Sequence, residues 1–386
     1  MKELTHPACP YTFIPEMTAK TQTEKFAGDL LRQTAPEEGN FVVSPRSVAD
    51  ALGLLARGAR GETFAEILEA LSFEDGGEMR RELAAAAMAI RKAAGSGARC
   101  ETDTSLWIRR GLPLQPKFLE NVRSDFGAEI AEITMDESGR QTINGHVSKA
   151  THGMIPELLA EPPKGDLVAT NAVWFKGSWA SEFTPELTRK GVFHAPRGKI
   201  RVPFMRQEEW FPFVEADRYE AARLPYEGGE FALDLILPRP GIPVAAIECV
   251  LDDVLAQTRA GFEGNEGVLL DMALPKCDID GSHDLATPLR RMGAGRIFSP
   301  ERADFLGIVD TADPFWVNQI IHQARIRLDE KGTEAAAATA ISCPAGCPPP
   351  LDRPRPFRAN RPFLFALRVV ETEDILFCGR VANPEV

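Results

Sequence analysis

Apolar residues recur at helical spacing through roughly the first 160 residues and at strand spacing through most of the remainder, and that order leaves few architectures open. Ser44-Pro45 puts a capping hydroxyl before a proline at the first helical position, with Val48, Leu52 and Leu55 following at helical spacing. A second helix comes next, with Thr63 as its expected cap and Phe64, Ile67, Leu68 and Leu71 as its apolar face. Then the pattern changes. Leu167–Phe175, Phe231–Leu237 and Val268–Leu274 are apolar, β-branched or aromatic runs that stop at Gly177, Pro238 and Pro275. The cleanest strand is Ile320 to Leu328, where Ile320, His322, Ala324, Ile326 and Leu328 share one face and Gln323, Arg325 and Arg327 the other. Phe363–Val370 and Ile375–Arg380, separated by the polar turn Glu371–Asp374, make a C-terminal hairpin. Helices first and antiparallel strands later imply an α+β fold. The length of 386 residues would also allow two domains, and no internal repeat is present.

Between the strand ending at Leu328 and the hairpin opening at Pro362 lie more than thirty residues without an apolar face. A connection that long is not passive; such segments carry function or lack structure. Its first half, Gly332 to Ala340, is small and nearly uncharged, whereas Pro344, Pro348, Pro349, Pro350, Pro354 and Pro356 stiffen the second half against helix or central strand. Read at period two, Thr333, Ala335, Ala337, Thr339, Ile341, Cys343 and Ala345 form one uncharged side. Glu334, Ala336, Ala338, Ala340, Ser342, Pro344 and Gly346 form the other, so the segment has the pattern of a half-buried strand with Gly332 as pivot. Propensity alone would instead make the four alanines a short helix or a linker.

Composition excludes several classes. With 44 basic against 56 acidic residues, a net of -12, a general nucleic-acid surface is not expected. Arg80, Arg81, Arg91 and Lys92 bracket the alanine-rich Leu83–Ile90 and read as a solvated helix face, so a heparin-like polyanion site is not expected either. Seven scattered cysteines, an odd number, do not form a disulfide framework; Cys343 and Cys347 are expected to stay free thiols, with a redox-sensitive disulfide between them as the alternative. Met1 to Phe13 contains Lys2, Glu3, His6 and two prolines and lacks a secretory apolar run, and no stretch approaches the roughly 18 apolar residues of a membrane span. A soluble protein is expected, cytosolic as written or extracellular if a leader was removed, with no membrane partner. G-x-S-x-G, H-E-x-x-H, G-x-x-x-x-G-K-[ST] and G-x-G-x-x-G are all absent, so neither an enzyme nor a cofactor or metal is expected.

The order of short blocks along the chain resembles the serpin family. Glu330-Lys331-Gly332-Thr333-Glu334-Ala335-Ala336-Ala337-Ala338-Thr339 looks like the serpin hinge, and Phe357-Arg358-Ala359-Asn360-Arg361-Pro362-Phe363-Leu364-Phe365 like the segment after the reactive loop. Asn40-Phe41-Val42-Val43-Ser44-Pro45-Arg46-Ser47 with Gly58-Ala59-Arg60-Gly61-Glu62-Thr63 resembles the shutter helix and its exit. Asn171-Ala172-Val173-Trp174-Phe175-Lys176-Gly177-Ser178-Trp179 resembles the strand entering the breach, and Leu224-Pro225-Tyr226, Leu274-Pro275-Lys276 and Gly379-Arg380-Val381-Ala382-Asn383-Pro384 are similar to further blocks. Departures are His146 in place of an aromatic residue, Met154 in place of lysine, and Gln323 where lysine is common.

The resemblance implies a serpin fold of three β-sheets and eight or nine helices. One domain would span residues 26–386 after an N-terminal extension, 1–25, with an exposed reactive-centre loop over about 330–356. It implies a metastable suicide-substrate inhibitor: a target protease cuts the loop, is held as a covalent acyl complex, and the loop enters the main sheet as a further strand. The inhibitor would be monomeric, with loop-sheet polymers as its aberrant assembly. The implied shutter is Asn40, Ser44, Ser47, Asn144, Asn171 and His322, with His322 bonded to Asn171 as a satisfied core residue; Trp179 and Glu330 would form the breach. Counting from Gly332 puts the reactive bond at Gly346-Cys347, with Ala345-Gly346 as the competitor. Such small bait residues suit an elastase-like or subtilisin-like serine protease, with a cysteine protease also open. The alternative is a non-inhibitory serpin acting as chaperone, carrier or storage protein. Members of that kind carry bulky or charged hinge residues; Thr333 and Ala335–Ala338 speak against it, and Pro344 mildly for it.

Overall fold

The structure is a computed structural model and describes residues 18–94, 98–125, 128–333 and 353–384. Among these residues nine α-helices run Gln22–Thr34 (α1), Pro45–Ala56 (α2), Gly61–Ala70 (α3), Gly76–Ala93 (α4), Pro116–Asp125 (α5), Glu137–Ala150 (α6), Val244–Glu248 (α7), Leu251–Phe262 (α8) and Ala286–Arg291 (α9). Their starts follow local chemistry. Ser44 Oγ accepts from Ser47 N at the head of α2, Asp75 and Asp136 cap α4 and α6, and Thr21 with Glu24 closes a capping box on α1. Helix α1 therefore begins inside the segment expected as an extension. Thr63 is not the cap of α3. Gly61 takes φ +51° and starts the helix behind Arg60, which leaves Thr63 buried, with its Oγ1 accepting instead from Asp304 N at 2.9 Å.

Sixteen strands follow the same sequence logic: Phe41–Val43 (β1), Ala98–Arg109 (β2), Glu129–Ile133 (β3), Leu167–Ser178 (β4), Arg189–Ala195 (β5), Gly198–Phe211 (β6), Phe213–Glu215 (β7), Tyr219–Pro225 (β8), Phe231–Pro238 (β9), Val268–Pro275 (β10), Cys277–Asp284 (β11), Gln319–Asp329 (β12), Gly332–Thr333 (β13), Arg355–Arg358 (β14), Phe363–Val369 (β15) and Ile375–Val381 (β16). They form three sheets, ordered β1-β16-β15-β9-β8-β7, β14-β10-β6-β5 and β11-β12-β13-β4-β2-β3. Pairing is mostly antiparallel, as expected, but β2–β3, β4–β12 and β10–β14 are parallel. Every residue of β15 and β16 is buried, which is why that hairpin reads as continuous apolar runs instead of alternation.

The last sheet named is the central one. Helix α6 lies on one face of it through Ile143 and Val147 against Trp107, Val168, Ala172 and Ile321. The start of α2 reaches it from behind at Ser44 and Ser47. Cys100, Cys277 and Cys378 form no disulfide, and burial pushes their thiols up to about 12.

Candidate functional site at the parted central strands

Strands β4 and β12 pair directly, and in parallel, only over Val168–Trp174 and Gln319–Arg325. Above that stretch they part. Leaving β12, the chain turns at Asp329–Lys331, where the Asp329 carboxylate accepts from Lys331 N at 2.9 Å, and returns as β13 between them. Leu328 then pairs with Thr333 on one side and Gly177 with Thr333 on the other, both antiparallel. Gly332 makes this possible. Its φ is +151°, and a Cβ there would lie 1.9 Å from Gly177 O.

Thr333 is fully buried, with its Oγ1 2.6 Å from Tyr226 Oη; burial pushes that phenol up, so it stays a neutral hydrogen-bonding group. The Tyr226 ring stacks on Trp179 at 4.6 Å. Trp179 in turn donates from Nε1 to Asp329 O at 3.0 Å and from its backbone to Lys331 O at 2.9 Å. Glu330 belongs to the same knot: burial opposes its charge, but Lys276 Nζ and Thr188 Oγ1, each 2.8 Å away, hold its carboxyl below the usual range. Glu330 lies between the two residues whose carbonyls Trp179 binds, and its own carbonyl accepts from Phe183 N at 2.8 Å.

Farther down, His322 and Asn171 face each other across the direct β4–β12 pairing. Asn171 Oδ1 accepts from His322 Nδ1 at 2.7 Å and from Ser47 Oγ at 2.5 Å, while Asn171 Nδ2 donates to Ser47 O and Thr104 Oγ1, each at 2.8 Å. His322 Nε2 accepts from Ser44 N at 3.0 Å. A proton on Nδ1 and a lone pair on Nε2 satisfy the ring completely in its neutral form. Burial, aided by His283 across the strand and opposed by the bond to Asn171, brings its pKa down to about 3.

Four of the six residues expected in the shutter thus meet: Ser44, Ser47, Asn171 and His322. The other two serve elsewhere. Asn40 accepts from Ala382 N and Asn383 N and donates to Asn383 O, holding the C-terminal strand. Asn144, on α6, closes the turn at Leu158 and Leu159. Sequence reasoning did not assign Thr104, Lys276 or Tyr226 a role here; the last two sit beside prolines in the quoted blocks, the only signal they give. Of the hinge, Glu330 to Thr333 are described; Glu334 to Thr339, Cys343 and the expected reactive bond at Ala345, Gly346 and Cys347 lie outside the described residues.

The site is thus a sheet whose two central strands are joined below by a buried polar network and parted above by the two residues of β13. The chain belongs to the serpin family: the serpin (serine protease inhibitor) profile matches residues 21–384. It is 31% identical to a serpin-like protein of Thermococcus kodakarensis over 98% of this chain and 92% of that one. It is also 31% identical to the leukocyte elastase inhibitor of Sus scrofa, over 93% and 98%. Human glycosylated kallistatin superposes with TM-score 0.82 at 27% identity, covering 95% of this chain and 97% of that one. The thermophilic serpin tengpin in the native state gives 0.84 at 23% identity over 96% and 97%, a likeness of fold. Among the described residues no helix is long and apolar enough to cross a membrane.

Proposed function

We propose that this serpin is a suicide-substrate inhibitor whose working part is the loop 330–356 of a single domain spanning about 26–386. The observation that supports this most is register. Continuing the β13 pairing residue by residue places Ala335 between Ile326 and Phe175, Ala337 between Ala324 and Val173, Thr339 between His322 and Asn171, and Ile341 between Ile320 and Ala169. Inserted in that register, residues of this parity would share the buried side on which Thr333 lies, and none of them is charged. The two-stranded seam β4–β12 would become a three-stranded one, adding a second ladder. Thr339 would have to part the His322–Asn171 bond, so the native state is protected by a barrier and its stability is a rate.

In the reaction, the protease nucleophile attacks the carbonyl of the bait bond. The C–N bond breaks, an acyl ester or thioester forms, and the proton passes to the leaving amine. Freed at that end, the loop enters the sheet and carries the acylated protease with it before water can release it. We place the bond at Gly346-Cys347, with Ala345-Gly346 as alternative, and the target among elastase-like or subtilisin-like serine proteases. The small bait residues and the elastase inhibitors among the relatives support that choice.

The test is incubation with elastase, subtilisin and trypsin, followed by a denaturing gel. A covalent band with the first two, and a released peptide beginning at Cys347 or Gly346, is expected. Complete cleavage without any such band would favour the chaperone, carrier or storage reading.

A further inference from the structure

Strand β2 is paired on its two sides to very different extents. Toward β4 the ladder runs the full length from Ala98 to Ile108, but toward β3 it covers only Ser105–Arg109. Among the described residues, Ala98–Thr104 have no strand partner on that side. Beside this edge runs a groove of about 910 Å³ between β2 and α4. Its α4 wall is a single helical face, Arg80, Ala84, Ala87 and Arg91, with Met88 beside it 66% exposed. Ala84 and Ala87 put only methyl groups on that wall between the two arginines.

The charges in the groove are unequally satisfied. Asp50 is paired with Arg46, Asp103 with His146 and Glu101 with His152. Arg80, Arg81 and Arg91 also line the groove and form no ion pair among the described residues.

From the free edge and these cations we infer that the groove is a docking site for an extended acidic segment of a partner protein, added to β2 as a further strand. An exposed edge of unpaired N–H and C=O groups is a template for such addition, and side chains alternating on the added strand give it specificity. The spacing fixes the pattern. Arg80 and Arg91 stand about 16 Å apart along the helix at 1.5 Å per residue. Side chains four residues apart on one face of a strand stand about 13 Å apart. Two carboxylates at that separation, with a small residue between them against Ala84 and Ala87, meet both cations within the reach of the arginine side chains. A sulfated polysaccharide would use the arginines and leave the edge of β2 unpaired. The inference is independent of the inhibitory reading, since neither the loop nor the β4–β12 seam takes part.

The test uses the full chain and a fluorescein-labelled peptide Thr-Val-Asp-Val-Ala-Val-Asp-Val-Thr, read by fluorescence polarisation and by amide hydrogen exchange. Binding is expected, with slowed exchange at 99–104 and an affinity loss of about tenfold or more in Arg80→Ala, Arg91→Ala, given that tenfold needs only 1.4 kcal/mol. Ala87→Trp should block the groove. A peptide with the same side chains but N-methylated at alternate amides should not bind, a control that alters nothing in the protein. Equal binding of the methylated peptide, or a heparin fragment that binds while the peptide gives no protection at 99–104, would overturn the inference. So would binding that survives Ala87→Trp and raises the melting point by tens of degrees, because the peptide would then have entered the β4–β12 seam.

Discussion

His322 carries a pH dependence whose sign follows from its bonds. Its folded pKa of about 3 lies below the unfolded value of about 6.5, so the folded state keeps the ring neutral where the unfolded chain would protonate it. The stabilisation is complete above pH 6.5 and is lost as pH falls toward 3, at about 1.4 kcal/mol per unit within that window. Unfolding rates compared between the native protein and His322→Gln should therefore converge as pH drops through it; parallel profiles would show that the ring is not held neutral. At Thr333 the expected change is functional. Thr333→Arg forces a charge into the fully buried site beside Tyr226, where it has no partner and costs several kcal/mol. Cleavage should continue while the covalent band disappears, and a band at the wild-type ratio would refute the hinge assignment. His322 was legible because alternation along its strand put an imidazole among Ile320, Ala324 and Ile326. Thr104 and Tyr226 were not, because a hydroxyl that completes a buried network looks in sequence like any half-exposed strand residue.

At the scale of elements, the fold is tied by one buried cluster that crosses the chain. Arg368 on β15 is fully buried, donating from Nε to Asp234 on β9 at 2.9 Å, from Nη1 to Glu24 on α1 at 3.3 Å, and from Nη2 to Leu255 O on α8 at 3.1 Å. Asp234 would keep Arg223 and Glu24 would keep Arg259, so truncation removes one of the two arginines at each buried carboxylate and the donor to Leu255 O; Arg368→Ala should cost about 2–3 kcal/mol, read as a lower denaturant midpoint. A loss under 1 kcal/mol would mean that neighbours or water replace the cation. Gly332→Ala should impair the hinge from the other direction: its Cβ would collide with Gly177 O, expelling β13 and exposing the loop root to faster proteolysis. An unchanged nicking rate at that root would show that β13 tolerates the side chain. The Ser44-Pro45 start and the C-terminal hairpin could be read directly, since cap chemistry and apolar runs are local. The start of α3 was misplaced by three residues, Thr63 against Arg60 as cap, because Gly61 opens it through a positive φ that no side chain signals. Strand β13, only two residues long, has no periodicity to read; it lies inside the segment expected as the exposed loop, at whose root Thr333 is instead buried.

For the whole molecule, the proposed function carries a thermodynamic prediction: the chain with its loop inserted in the sheet should be more stable than the chain without it. Inserting about ten residues as a strand adds roughly ten backbone hydrogen bonds at ~1 kcal/mol each. Burying Ile341 and the small residues of its face adds a further ~2–3 kcal/mol. Parting the His322–Asn171 clasp offsets only part of this, since the groups can re-bond to Thr339. Ordering the loop costs about 1–2 kcal/mol of conformational entropy per residue, so only the surplus over that cost is read, as a rise in melting point of a few degrees per kcal/mol. Nicking within 345–347 by a protease that escapes capture provides the test, because it frees the loop without changing composition. Calorimetry before and after the cut should show the higher transition only in the nicked protein, and the lower one should shift with scan rate because the intact state persists by a barrier. Cleavage at the same bond that leaves the transition unmoved would mean that the loop does not enter the sheet, and the inhibitory reading would fall with it.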